Sequence, residues 1–345
     1  MRLQLSSAAT WLMLSATLSA AETAQDREPR QQRLVAREVA EWVSTHLYQG
    51  RSSGPEQTER FSRKIKIGRD GRVSVQNVAG DITVTGGVGD EVSIEAVKRT
   101  RGNRSQLAAV SIEVEERAGR VEVRTLHTGR YDRVSVDYTI TLPSSTGVEV
   151  RSISGNVKVT NVQGAVRGDT TSGDITMAGT PRLENARSIS GTVSLSGVSS
   201  DGDLSVGTVS GNLTASGVKV RSLDLGTISG DVTVTDVTCD RLGVKSISGN
   251  VDFGGRIMKG GRYELNSHSG DVRLTLANPV GFELNASSFS GSVRSDLPVT
   301  INSDSGGRDR GRRGRLDNSM RATYGDGSAT LRVRTFSGAI VLTER

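Results

Sequence analysis

Residues 222–252 read SLDLGTISGDVTVTDVTCDRLGVKSISGNVD, and this stretch decides the fold. The pattern L-x-[LV]-x-[ST]-I-S-G-[DN]-V occurs in it twice, with its glycine at Gly230 and at Gly249. Working outward, the same glycine returns at Gly211, Gly191, Gly173, Gly155 and Gly80 on one side, and at Gly270, Gly291 and Gly338 on the other. From Gly155 to Gly291 the gaps are 18, 18, 20, 19, 19, 21 and 21 residues. Serine precedes the glycine in every copy except the first, where Ala79 stands. Apolar residues sit two positions after it and five and seven before it, as in Leu204/Val206, Leu223/Leu225, Leu242/Val244, Tyr263/Leu265 and Leu331/Val333.

The intervening residues are Thr, Ser, Lys and Asp, so each copy alternates with period two, the signature of a strand with one buried face. One copy buries too few side chains to fold alone. Copies stacked about 4.8 Å apart turn each apolar position into an internal column. The S-G-[DN] step marks a corner, because glycine tolerates backbone angles closed to other residues and Asp or Asn can bond neighbouring amides. A valine seven residues past the glycine (Val162, Val198, Val218, Val237) adds a short third face. The expectation is an all-β, parallel β-solenoid, a three-sided β-helix, right-handed by analogy with other three-sided coils.

The ends differ from the middle. Between Gly80 and Gly155 lie four alternating segments, Glu91–Val97, Val110–Glu115, Arg120–Leu126 and Val134–Ile140. They read as antiparallel excursions capping the coil, and Val299–Thr330 reads as a similar detour. Open coil ends expose unpaired backbone, so elaborated ends are expected. Upstream, Leu34, Val35, Val39, Trp42, Val43, His46 and Leu47 recur at helical spacing, followed by a polar stretch from Gly50 to Glu59. The division is residues 1–21 as export signal, 22–60 as helical segment and linker, and 61–345 as solenoid. Within the solenoid, 61–147 is the elaborated start, 148–298 the regular rungs, and 299–345 an excursion with a last rung.

Export rests on Arg2, the apolar run Ala8–Leu18 and the small-x-small triplet Ser19-Ala20-Ala21. That run is too short to span a bilayer, and no later segment reaches eighteen consecutive apolar residues. The expected location is the periplasm, the cell surface or the exterior, with no transmembrane span. Net charge is +6, and removing Arg2 with the signal leaves +5. With charges interspersed and only 12 aromatics in 345 residues, the basic, aromatic-studded face of a nucleic-acid reader is missing. The lone Cys239 excludes an internal disulfide and reads as a small buried residue.

Catalytic chemistry finds little purchase. His46, His127 and His268 fall in unrelated segments, and no spaced His/Cys/carboxylate cluster suggests a metal or cofactor. A glycan-cleaving β-helix needs carboxylates gathered on one outer face. Only Asp252 and Arg273, on adjacent rungs, could begin such a site, and an opposite-charge pair is ordinary cross-strand decoration. The Asp/Asn column after the glycine reads as corner capping rather than a calcium site.

Three surface features could bind a partner. The column Ile153, Ile189, Val209, Ile228, Ile247, Phe289 and Phe336 precedes the corner serine. Strict alternation would point it outward as a partner surface, whereas a chain bending one residue early would bury it, the marginally simpler placement. A Thr/Ser ladder (Thr83/Thr85, Ser194/Ser196, Thr214/Ser216, Thr233/Thr235) could order water or sugars. Arg308, Arg310, Arg312, Arg313 and Arg315, interleaved with glycine, could meet anionic glycans or headgroups.

The segment FSRKIKIGRDGRVSVQNVAGDITVTGGVGDEVSIEAV (61–97), the serial S-[IV]-S-G-[DN]-[VIL] rungs and the final RTFSGAIVL together resemble the Toastrack family, an adhesin-type β-strand-repeat group of bacterial envelope proteins. The resemblance covers about residues 61–345 and implies a β-solenoid at or outside the membrane, with no catalytic motif to carry over. The functional expectation is a non-enzymatic exported scaffold for adhesion-type binding or envelope sensing, its partner an envelope protein or glycan. A glycan-active enzyme and a self-assembly module are the alternatives.

Overall fold

The computed structural model describes residues 55–68, 70–129, 133–277, 279–302 and 318–344. Of the helical segment and linker placed at 22–60, residues 22–54 lie outside them, and the strand Gln57–Lys66 crosses the boundary placed at residue 60. Among the described residues the only helix is the 3-10 turn Arg104–Ala109.

Each repeat becomes one rung with two arms. The long arm, such as Asp203–Ser210 or Ser222–Ser229, joins a 14-stranded sheet; after the glycine corner the short arm, Leu213–Ser216 or Val232–Val237, joins a 13-stranded sheet. Along the regular coil both sheets are parallel and in register. Leu204 pairs with Leu223, Leu223 with Leu242 and Leu242 with Tyr263, while Leu213, Val232, Val251 and Val272 form the facing column. All of these are buried. The period-two apolar pattern therefore builds one narrow core between two sheets, as the repeat predicts.

The third side is slighter than expected. Val162, Val198, Val218 and Val237 do point into the core. Apart from Val237, which ends the strand Val232–Val237 and pairs with Gly255, their segments pair through the single bridges Ser199↔Lys219 and Lys219↔Thr238. Turn residues leave too short an extended run on this side to sustain a ladder. The three-sided β-helix becomes a two-sheet coil with an irregular third edge.

Both ends depart from sequential stacking. The Gly80 rung, Arg72–Ala79 and Ile82–Gly87, lies between the Gly155 rung and an outer rung made of Arg120–His127 and Val134–Pro143. Two of the four segments read as antiparallel excursions thus join the coil in parallel. The other strands are antiparallel: Glu91–Thr100 against Val134–Pro143, Gln57–Lys66 against Glu91–Thr100, and Val110–Arg117 against Arg120–His127. At the far end the last rung in sequence, Ala329–Ser337 and Ile340–Glu344, is inserted between two rungs that are consecutive in sequence. Arg262–Ser269 and Val272–Leu276 lie on one side of it, Phe282–Ser290 and Val293–Ser295 on the other. Asn318–Tyr324 then runs antiparallel to Phe282–Ser290.

Candidate functional site

The corner explains each letter of S-I-S-G-[DN]. A Cβ on Gly230 would land on the carbonyl oxygen of Gly211, and Gly230 has φ +149°, so both stacking distance and backbone angle select glycine. Three polar groups of the Gly211 corner are met by the next rung. Its N–H donates to the Ser229 carbonyl (2.9 Å), and its carbonyl accepts from the Thr227 hydroxyl (3.2 Å). Asn212 Oδ1 accepts from the Asp231 N–H (2.9 Å). The same hydroxyl-to-glycine bond recurs from Ser188, Thr208, Ser267, Thr335 and Ser288. A corner carbonyl without a partner is costly, so in these rungs the first serine or threonine of the motif is held inward; Ser152 and Thr170 take the same inward position with their hydroxyls unpartnered.

That constraint settles the following residue. With the hydroxyl inward, alternation forces Ile153, Ile189, Val209, Ile228, Ile247, Phe336 and Phe289 outward, each 40–55% exposed. The early bend that would have buried them does not occur. Strand order places them in one line, with Thr171 and His268 filling the rungs that lack an apolar residue. The insertion of the last rung brings three aromatic rings together: His268 stacks on Phe336 (4.8 Å) and Phe336 on Phe289 (4.7 Å). No sequence signal could have found this trio, because Phe336 lies 47 residues after Phe289 in the chain and between it and His268 in space.

Beside the ladder, on the outer face of the 14-stranded sheet, stands a column containing Arg151, Asp169, Arg187, Gly207, Gly226, Lys245 and Arg334. Between column and ladder runs a groove of about 540 Å³, lined by Arg151, Asp169, Thr171, Arg187, Ile189 and Val209 around Gly207. Across the corner lies the Asp/Asn column. These side chains bond the N–H of the equivalent residue one rung on, rather than their own neighbouring amides: Asp81 to Asn156, Asn156 to Asp174, Asp231 to Asn250, Asn250 to Asp271. They tie rung to rung from Asp81 to Thr192 and again from Asn212 to Ala339.

The other sequence candidates are dispersed. The Thr/Ser ladder lies on the outer face of the 13-stranded sheet, with Ser194 beside Thr214 and Thr214 beside Thr233. On that face Arg273 lies 3.5 Å from Asp252 and 3.3 Å from Asp271. One guanidinium serving two exposed carboxylates is surface pairing. Cys239 is buried, and desolvation pushes its thiol up to about 12. Its carbonyl accepts from the equally buried Tyr263 hydroxyl, itself raised to about 12 by burial. His127 ends a strand, and His46 lies outside the described residues, as do Arg308, Arg310, Arg312, Arg313 and Arg315. Among the described residues no group of three His, Cys, Asp or Glu could hold a metal ion, and no helix is long and apolar enough to cross a membrane.

Comparison with known proteins agrees with the family reading of the rungs. The model of the family described as Toastrack DUF4097 matches residues 184–343. No curated protein matches the chain. Among solved structures, a "putative adhesin" from Bacteroides fragilis NCTC 9343 is 11% identical, with 82% of this chain and 97% of that chain covered and a TM-score of 0.42. One from Parabacteroides distasonis ATCC 8503 is 14% identical, with 85% and 98% covered and a TM-score of 0.40. A "putative cell adhesion protein" from Clostridium sporogenes ATCC 15579 is 10% identical, with 84% and 100% covered and a TM-score of 0.25. At these scores the likeness assigns no activity to this chain.

Proposed function

Residues 184–343 carry the Toastrack pattern, and on that premise we propose that this chain is an exported, non-enzymatic scaffold that docks a macromolecular partner along the apolar ladder of its 14-stranded sheet. The observation that carries the reading is the line of exposed Ile, Val and Phe side chains from Ile153 to Phe289, interrupted at Thr171 and His268. A soluble surface does not ordinarily keep large apolar residues contiguous over so many rungs unless something covers them. Strand propensity alone is satisfied by threonine, which fills the equivalent solvent-facing positions of the 13-stranded sheet at Thr176, Thr214 and Thr233. The adjoining groove supplies a polar margin, so the surface combines an apolar centre with a charged rim, the composition of a protein interface. Arg2, the Ala8–Leu18 run and Ser19-Ala20-Ala21 support a place outside the cytoplasm, in or on the envelope.

The test uses the chain from Glu22 onward as bait in envelope extracts, beside an Ile189→Lys/Ile228→Lys variant. Both positions are exposed, so the variant keeps its far-ultraviolet circular dichroism. The expected outcome is a partner retained by the parent and lost by the variant. Identical captures from both would remove the ladder from the binding surface.

A further inference from the structure

We propose that the partner of the ladder is a second copy of this chain, docked side by side with the two coils running in the same direction. The proposal rests on the reading of the ladder as a contact surface and adds the identity of what covers it.

Period is the first argument. The ladder repeats once per rung, about 4.8 Å, and its nine positions from Ile153 to Phe289 span about 38 Å. An α-helix lying along it presents side chains every ~5.4 Å and would drift by a full turn over that length. An extended peptide presents one face about every 6.6 Å and loses register sooner. Another coil of the same build keeps register from end to end. In an isologous contact each residue then meets its own equivalent.

Charge sets the direction. On one side of the ladder the column contains exposed Arg151, Arg187, Lys245 and Arg334, with Asp169 the one acid. On the other side, across the corner, stand Asp81, Asp174, Asp231 and Asp271. A two-fold axis parallel to the coil lays the cationic column of one copy along the acidic column of the other, each cation one rung, about 4.8 Å, from an aspartate, with Asp169 opposite Asp174 as the one like-charge pair. A two-fold axis crossing the ladder would lay like over like. The contact between parallel copies is the complementary one.

The coil ends are poor competitors for self-association. The outermost strands at one end, QTERFSRKIK (57–66) and VSIEVEER (110–117), are densely charged. Those at the other, Val293–Ser295 and Thr300–Ile301, are only three and two residues long. Both are devices that blunt edge pairing. Area is sufficient: the ladder with one column on each side is about 13 Å wide, giving roughly 500 Å² per copy and about 1,000 Å² in total. That reaches the ~1,000 Å² needed for a specific, moderately weak dimer.

Light scattering after size exclusion, with sedimentation equilibrium over a concentration series, tests the proposal on the chain from Glu22 onward. A dimer is expected in the micromolar range. Ile189→Lys/Ile228→Lys should weaken it on the order of tenfold or more, since each charge would be buried against its own equivalent. Ser216→Lys, on the opposite sheet, should leave it unchanged. An Ile153→Cys variant should crosslink to itself between copies under oxidation, the native Cys239 being buried. Antiparallel docking would instead crosslink Ile153→Cys only to Phe289→Cys, overturning the stated geometry. A strict monomer at several hundred micromolar, or a dimer indifferent to the two lysines, overturns the proposal itself. If that monomer still loses an envelope partner on lysine substitution, the contact-surface reading survives and only the second copy is lost. A monomer that instead binds anionic phospholipid vesicles through the ladder also refutes the second copy. Failure of both capture and dimerisation to respond removes both readings.

Discussion

Two threonines in the same internal column should answer the same substitution in opposite ways. Thr208 and Thr170 are equally buried, two rungs apart, each at the inward position before the corner. Thr208 Oγ1 donates to the Gly191 carbonyl at 3.0 Å, whereas Thr170 Oγ1 is buried without a partner. Replacement by valine keeps the shape and removes only the hydroxyl. In Thr208→Val it strands a corner carbonyl that the sheet ladder does not use, at a cost of about 1–2 kcal/mol. In Thr170→Val it removes an unsatisfied polar group, which should be neutral or stabilise by up to ~1 kcal/mol. Urea unfolding followed by far-ultraviolet circular dichroism reads the difference, provided the denaturant dependence is unchanged. In thermal melts the pair should separate by several degrees, at roughly 2–4 °C per kcal/mol for a domain near this size. Equal losses in both variants, or a larger loss in Thr170→Val, would refute the claim that the inward hydroxyls exist to satisfy the glycine carbonyls.

Deleting residues from Ala329 onward should open the slot between Arg262–Ser269 and Phe282–Ser290, both of which pair with Ala329–Ser337. Limited proteolysis should then cut within 262–302 while the rungs from 148 to 255 stay protected, because a coil rung leans only on its neighbours; unchanged protection throughout would contradict the inserted topology. Alkaline pH should destabilise the fold. Burial raises Tyr138 and Tyr263 from 10.0, and Cys239 from 9.0, to about 12. The unfolded chain releases these protons from about pH 9 to 10 and the folded one holds them to about 12, so stability falls through that window, by a few kcal/mol near its top. A urea midpoint that stays flat from pH 8.5 to 11.5 would contradict this.

The repeat made the architecture legible because it obeys a local rule. Alternation marks which side chains face the core, and the glycine spacing gives the rung length. Leu204, Leu223 and Leu242 fall into one internal column as their period requires. The ladder residues were also visible by position, but their exposure was not decidable locally. Exposure of Ile189 depends on the hydrogen bond that its neighbour Ser188 makes to Gly173 in the adjacent rung. The strand order at the ends was out of reach for a related reason: the slots beside Arg72–Ala79 and Arg262–Ser269 accept any strand of matching pattern, and nothing in the linear order says which arrives.

By itself the sequence determined the rung, its corner and the composition of its core, since these follow from backbone angles and side-chain alternation over a few residues. Only the tertiary structure decided that the third side is not a sheet, that the last rung sits inside the coil, and that the isoleucine column faces outward beside an aromatic stack. Those outcomes turn on which rung becomes the neighbour of which, and on where each corner carbonyl finds its donor, and both are contacts between segments far apart in the chain.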